Sequence, residues 1–315
     1  MQTRKVICGA QVRIVVLATT VIVGLSVTLQ TVQERAPIPS IEEIAPNLYL
    51  LAASNPEDRV TWTGGNTVAF VVEQGVVLVD TKLPGYGSDI IAQVANVTDK
   101  PITTIINTHT HFDHSGSNTE FPDPVEVVAH EKTRANMARE TCQPVTNCDA
   151  FKGGNARYLP RRTFTERMSL FGGEDQIDLF HFGPGHTDGD TFVVFRQARM
   201  MHTGDMFQRR NVPFIDFVNS GGSATEFAVT LQKAVDGISG VDTIIPGHSN
   251  TVLPWSDFTA YTDFMTDILT MAQEGKRSGA SVDEVVEKFS ATAYPRFEIN
   301  SQRVKDNIQA IYDNR

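Results

Sequence analysis

Residues Ile102 to Asn118 read ITTIINTHTHFDHSGSN, and the fold is decided there. The first part, Ile102 to Ile106, is apolar and β-branched, the pattern of a buried strand. It breaks into His109, His111, Asp113 and His114, four metal-ligand types within six residues of a chain that has eight histidines in all. A polar burst of this kind is the loop at the strand's end. In such a loop His109 and His111 point the same way, while Asp113 and His114 turn towards a point a few ångströms off. Neutral imidazole and carboxylate are ligands that suit zinc and its first-row neighbours.

The stretch resembles the HxHxDH signature of the metallo-β-lactamase superfamily, and further pieces follow in that family's order. Gly185-His186-Thr187 resembles its isolated histidine, Thr203-Gly204-Asp205 its isolated acid, and Pro246-Gly247-His248 its final histidine. The resemblance runs from about Ile44 to Thr251. It implies an α/β fold, the αββα sandwich of the superfamily, with which the alternation of strands and helices agrees. It also implies two divalent metal ions, most simply zinc, with iron or manganese as alternatives. His109, His111 and His186 would hold one; Asp113, His114 and His248 would hold the other; Asp205 would bridge them. Asp80, ending an earlier strand, would support the ligand loop from behind. Two ions about 3.5–4 Å apart trap a hydroxide and lower its pKa towards neutrality. Asp113 would also orient that hydroxide or carry its proton, which makes it the candidate catalytic residue.

Asp205 bears on the substrate. The superfamily's β-lactamases usually place cysteine or serine there, whereas its thioesterases, lactonases and phosphodiesterases keep the acid. The resemblance therefore implies a hydrolase of a small ester, lactone, thioester or amide. Hydrolysis of β-lactams is the alternative; from another class, so is a non-catalytic metal-binding or scaffold member of the fold. A full set of seven ligand positions favours the enzyme.

The rest of the chain sets the context. A hydrophobic content of 41% and a charged content of 20% over 315 residues are those of a globular protein. Arg4, Lys5 and Arg13 precede an uncharged run from Ile14 to Leu29, and a polar, proline-bearing stretch follows. This is the layout of an export signal, cleaved or kept as an anchor. Residues 1–36 thus read as signal peptide or membrane anchor plus linker, and residues 37–315 as one hydrolase domain with a helical C-terminus. The expected location is periplasmic or secreted, with membrane association through residues 14–29 if they are retained. Without residues 1–36 the chain has 23 basic and 36 acidic residues, a net charge of −13. That excludes nucleic acid as substrate, which needs a basic surface, and leaves a small molecule. Cys142 and Cys148, with five residues between them, read as a small-loop disulfide in an oxidising compartment.

Local patterns place the elements. Gln74-Gly75 joins the apolar runs Thr67–Glu73 and Val76–Asp80 as a hairpin. Ser88 is the expected N-cap of a helix with Ile90, Ile91 and Val94 on one face. Val125–Ala129, Thr163–Leu170, Gln176–Phe182, Thr191–Arg196, Ala198–His202 and Val241–Ile245 read as strands. Ser223 to Glu226 and Ser281 to Glu284 read as capping boxes. Residues 141–160 read as an irregular insertion, of the kind that covers active sites. His130, His181 and His202 read as structural histidines, and Asp190, Asp216 and Gly221-Gly222-Ser223 as parts of surface loops.

Overall fold

Alternation along the strands builds the layers in the computed structural model, which describes residues 35–54, 58, 60–123, 125–289 and 291–315. Seven strands pair in chain order: β1 (Glu42–Ala45), β2 (Leu48–Leu51), β3 (Thr67–Val72), β4 (Gly75–Val79), β5 (Ile102–Ile106), β6 (Glu126–His130) and β7 (Arg162–Phe164). β1 to β4 form an antiparallel meander, and β4 to β7 run parallel. The crossover from β4 to β5 contains helix α1 (Gly87–Ala95); α2 (Phe112–Ser115) follows β5, and α3 (Glu131–Met137) follows β6. The second sheet has β8 (Arg167–Leu170), β9 (Ile177–Phe180), β10 (Phe192–Phe195), β11 (Met200–His202), β12 (Thr243–Ile245) and β13 (Leu253–Pro254), in the spatial order 13-12-11-10-9-8. Helix α4 (Ala224–Gly237) joins the parallel strands β11 and β12, and α5 (Trp255–Ser278), α6 (Val282–Lys288) and α7 (Ser301–Tyr312) complete the chain.

On β4, Val77 and Val79 enter the core between the sheets with Leu179, Val193 and Phe195. Val76 and Leu78 point the other way and pack with Ile90 and Val94 of α1. On β10, Phe192 and Val194 pack outward against Phe227 and Leu231 of α4, Phe258 and Tyr261 of α5 and Ile308 of α7. Both sheets are thus apolar on both faces, and the layers are helix, sheet, sheet, helix: the αββα sandwich. Each fully buried Val, Leu or Phe side chain contributes about 1.5–3 kcal/mol.

Several local expectations are corrected. The single strand expected over 163–170 is two: the chain leaves the first sheet after Phe164 and enters the second at Arg167. The apolar alternation runs on across the switch, because Phe164 and Leu170 both feed the core between the sheets. Ser88 does not cap α1. Tyr86 stands at the N-cap, and Oε2 of Glu120 accepts from the amide of Gly87 at 2.8 Å in place of a local cap. Ser223 caps α4 through the amide of Glu226, but its own amide donates to the carbonyl of Gly185 at 2.9 Å, so the reciprocal half of that box is absent. The box at Ser281 and Glu284 is complete. The insertion has local structure: two 3-10 turns, Cys148–Phe151 and Gly153–Tyr158, and a small core of Met137, Phe151 and Tyr158. Within it Cys142 and Cys148 are bonded, their Cα atoms 5.4 Å apart.

Residues Arg35–Arg315 group into one unit. Residues 14–29, read above as an export or anchor segment, lie outside the described residues. Among those described, no helix is long and apolar enough to cross a membrane.

Candidate metal centre

The strand order carries the C-terminal ends of β4, β5, β11 and β12 to one rim of the sandwich, and each end delivers a polar side chain. Asp80 follows β4 with φ 61°, a left-handed conformation that Asp tolerates. His109 and His111 follow β5, and the short helix α2 brings Asp113 and His114. His186 comes from the loop after β9, Asp205 from a 3-10 turn after β11, and His248 from the turn after β12. Loop-to-loop bonds hold the two sheets' contributions together. The amide of Asn66 donates to Gly247 O at 2.7 Å, its Nδ2 donates to Pro246 O at 2.7 Å, and the amide of Thr191 donates to Thr108 O at 2.9 Å.

All seven residues are buried, at 8% exposure or less. Their ligand atoms form three overlapping groups, each within 4.8 Å: His109, His111 and His186; His109, His114 and Asp205; and Asp113, His114 and His248. His186 Nε2 is 3.0 Å from His111 Nδ1, and His114 Nε2 is 3.1 Å from His248 Nε2. Asp205 stands between the groups: Oδ1 is 3.2 Å from His114 Nε2 and 3.3 Å from His248 Nε2, and Oδ2 is 3.5 Å from His186 Nε2. Asp113 Oδ2 is 3.2 Å from His248 Nε2.

The far side of most rings is fixed. Asp80 Oδ2 pairs with His114 Nδ1 at 2.7 Å and also accepts from Thr108 Oγ1 at 2.7 Å. Thr108 Oγ1 lies 3.0 Å from His109 Nδ1. Asp216 Oδ2 pairs with His111 Nε2 at 3.0 Å, and Phe214 O with His186 Nδ1 at 2.8 Å. One segment, residues 214–216, therefore orients two of the histidines.

The site fits a divalent cation on the chemistry of its own atoms. Buried polar atoms without hydrogen-bond partners are rare, yet His109 Nε2 is in that state, and Asp205 Oδ1 meets only the ligand nitrogens of His114 and His248. Space is reserved as well: a Cβ on Gly65 would run into the His114 ring, and one on Gly247 into Asp205 Oδ1. Burial, then the charges of neighbouring histidines, keeps His109 well below its ordinary pKa, and His186 goes down to about 4 for the same reasons. Shifts in that direction favour the neutral ring, the form that ligates a metal. Burial pushes His114 and His248 the same way, but Asp205 and Asp113 (with Asp80 beside His114) outweigh it, and His248 rises to about 9.

Asp190 and Asp216 correct their reading as surface acids, since they are 3% and 2% exposed. Asp190 accepts from the amide and hydroxyl of Thr187, shaping the loop that carries His186. Asp216 contacts His111 from 105 residues away, so nothing local in the sequence marks it. Thr108, Gly65 and Asn66 were likewise invisible as site residues. His130 and His181 stack on each other at 3.9 Å and bond to Thr165 O and Asp190 O; His202 Nδ1 accepts from Gly204 N. All three are engaged in holding backbone. The centre opens into a cleft of about 470 Å³ lined by Trp62, Phe112, Phe214, Gln208, Arg209 and Arg303 among others.

Comparison with known proteins bears on family and fold. A sequence profile of the metallo-beta-lactamase superfamily matches residues 60–248. The alpha subunit of a 2,4-dinitroanisole O-demethylase from Nocardioides sp. (strain JS1661) is 30% identical over 143 residues, which are 44% of this chain. The match spans only 40% of that relative's length. An acyl-coenzyme A thioesterase of Gallus gallus is 23% identical over 205 residues, covering 59% of this chain and 70% of its own. Among solved structures, a metallo-beta-lactamase from Pontibacter korlensis superposes with a TM-score of 0.59 at 16% identity, over 72% of this chain and 98% of that one. At that identity the likeness speaks for the fold.

Proposed function

The chain belongs to the metallo-β-lactamase superfamily and is a hydrolase, and on that premise we propose that it is a dinuclear enzyme cleaving a small ester, thioester, lactone or amide. The observation that supports this is the convergence of seven buried donors in two groups with Asp205 between them. His109, His111 and His186 would hold one ion, and Asp113, His114 and His248 the other, with Asp205 reaching both. Zinc suits this nitrogen and oxygen set, as do iron and manganese. Bound there, divalent ions supply an activated water at neutral pH and a Lewis acid for the scissile oxygen.

The chain's own residues do the rest. Asp113 Oδ2 sits at the junction of the second group, placed to take a proton from a water in the cleft. Asp80 and Asp216 hold the rings of His114 and His111 against rotation. Trp62 and Phe112, edge to face at 5.8 Å, line the cleft and exclude water from an acyl group lying against them. An acid at position 205 favours ester or thioester cleavage over β-lactam hydrolysis. The thioesterase activity named for the Gallus gallus relative points the same way.

We also place the protein outside the cytoplasm, because Arg4, Lys5 and Ile14 to Leu29 have the layout of an export signal and an oxidising compartment suits a Cys142–Cys148 bond. Elemental analysis of protein purified without chelator tests the metal proposal, with about two equivalents expected. A panel of chromogenic esters, thioesters, lactones and a cephalosporin tests the substrate class. One metal equivalent, or turnover of the cephalosporin alone, would overturn the corresponding part.

A further inference from the structure

Arg303, near the start of α7, faces the same cleft as the metal centre. Its guanidinium carbon lies 5.0 Å from the centroid of the Phe214 ring. That ring is 6.0 Å from the His186 ring and 6.4 Å from the His111 ring, and Phe214 O pairs with His186 Nδ1. The guanidinium is therefore no further from the His186 ring than those two steps together, a span that a small acyl molecule bridges.

Among the described residues Arg303 forms no ion pair, and Asp306, whose charge it feels, bonds instead to a glutamine amide. Asp306 accepts from Gln302 Nε2 at 2.7 Å, Asp313 from Gln309 Nε2 at 3.0 Å, and Glu298 faces Arg209 at 3.9 Å. Burial holds the Arg303 pKa below its ordinary value; the nearby charge of Asp306 opposes this and that of Arg209 adds to it. A cation partly withdrawn from water without a paired carboxylate is costly, and an anion bonded to it at this spot lowers the cost. There is room for one: a second cavity of about 300 Å³ adjoins the cleft and shares Phe214 and Arg303 with it.

We propose that Arg303 is a specificity-determining residue that anchors an oxyanion, carboxylate or phosphate, at the non-reacting end of the substrate. The acyl carbon would then lie at the metal centre, the apolar body along Trp62, Phe112 and Phe214, and the anionic end against the guanidinium fork. A planar fork matches either oxyanion through two parallel hydrogen bonds. This rests on the hydrolase reading above and narrows it to anionic acyl compounds.

The test uses metal-loaded wild type, R303M and R303K with three p-nitrophenyl esters of equal chain length, ending in carboxylate, phosphate or a methyl ester. The ratio of kcat/KM for an anionic ester to that for the methyl-capped ester should fall about tenfold to a hundredfold in R303M, mainly through KM. R303K should restore part of it, and whichever anionic ester loses more identifies the oxyanion. A ratio unchanged in R303M overturns the proposal. If R303M does not fold, the same ratio is read on R303Q. If wild type cleaves none of the esters, the hydrolase reading fails by itself, and the anion site is then judged by calorimetry with hexanoate and hexyl phosphate. Binding weakened about tenfold in the variant upholds it, and equal or absent binding removes it.

Discussion

The Nδ1 atom of His114 lies 2.7 Å from Oδ2 of Asp80, and neither side chain is exposed to solvent. The same carboxylate accepts from the amide and hydroxyl of Thr108, next to His109. One acid at the end of β4 thus fixes a ring of the second ligand group and the backbone of the first. Asp80→Asn keeps the shape and removes one of the three carboxylate charges, those of Asp205, Asp113 and Asp80, that outweigh burial and raise the His114 pKa. We predict metal affinity about 10–100-fold weaker, measured by competition with a chromophoric chelator. Wild-type affinity in this variant would reduce Asp80 to a loop anchor.

A methyl group at position 65 should act on the metal centre without touching any ligand chemically. The Cβ of Gly65→Ala would run into the His114 ring, itself held by Asp80 and 3.1 Å from His248. The ring has nowhere to go, so the second ligand group must open. We predict a folded protein, about 1–3 kcal/mol less stable as overpacked sites are, with bound metal reduced towards one equivalent. Two equivalents retained with an unchanged melting temperature would mean that the loop of residues 63–66 yields easily.

How much of this was legible along the chain follows from where each residue gets its partner. His109, His111, Asp113 and His114 share one strand-end loop, so their spacing alone carried the message. His186, Asp205 and His248 follow glycine in short turns, and could be picked out by order. Asp216 could not: its partner His111 is 105 positions away, and an acid in a Gly-rich loop looks solvated. Gly65 presented no side chain to notice. The switch of sheets between Phe164 and Arg167 left no break in alternation, because both strands face the same core. Similarly, Glu120 replaced Ser88 as the cap of α1 from 33 residues away.

Asp178 offers a pH test remote from the metals. Burial alone would raise its pKa, but bonds from Ser169, Arg196 and Gln176 outweigh that and hold it below its ordinary value of 3.8. A carboxyl depressed on folding stabilises the protein above its unfolded pKa, and the gain is lost as pH falls through the folded value. Asp178→Asn should therefore be about 1–3 kcal/mol less stable at neutral pH, from lost charge-assisted bonds. The deficit should stay level down to about pH 5 and shrink below 3.8. Urea titrations of both proteins between neutrality and pH 3 measure it; a deficit that grows with acidity would contradict this account.

Asp205 separates ligation from mere packing. Its Oδ1 is 3.2 Å from His114 Nε2, and its Oδ2 is 3.5 Å from His186 Nε2, one histidine from each ligand group. Gln208 Nε2 donates to Oδ2 at 2.7 Å, while the buried Oδ1 meets only the ligand nitrogens of His114 and His248. Asp205→Ala leaves His109, His111 and His186 on one side, a workable zinc set, and Asp113, His114 and His248 on the other. Without the shared acid, His114 and His248 lose the first of the carboxylates that raise their pKa, Asp113 remaining beside both and Asp80 beside His114. We predict metal content falling towards one equivalent, and turnover falling by about 10³-fold or more as metal-activated water is lost. If Asp205 served only as a turn residue, the cost would instead be about 0.5–2 kcal/mol of stability with normal metal loading. Zinc content, melting temperature and turnover measured on one preparation separate the two, and full loading with unimpaired turnover would remove Asp205 from the ligand set.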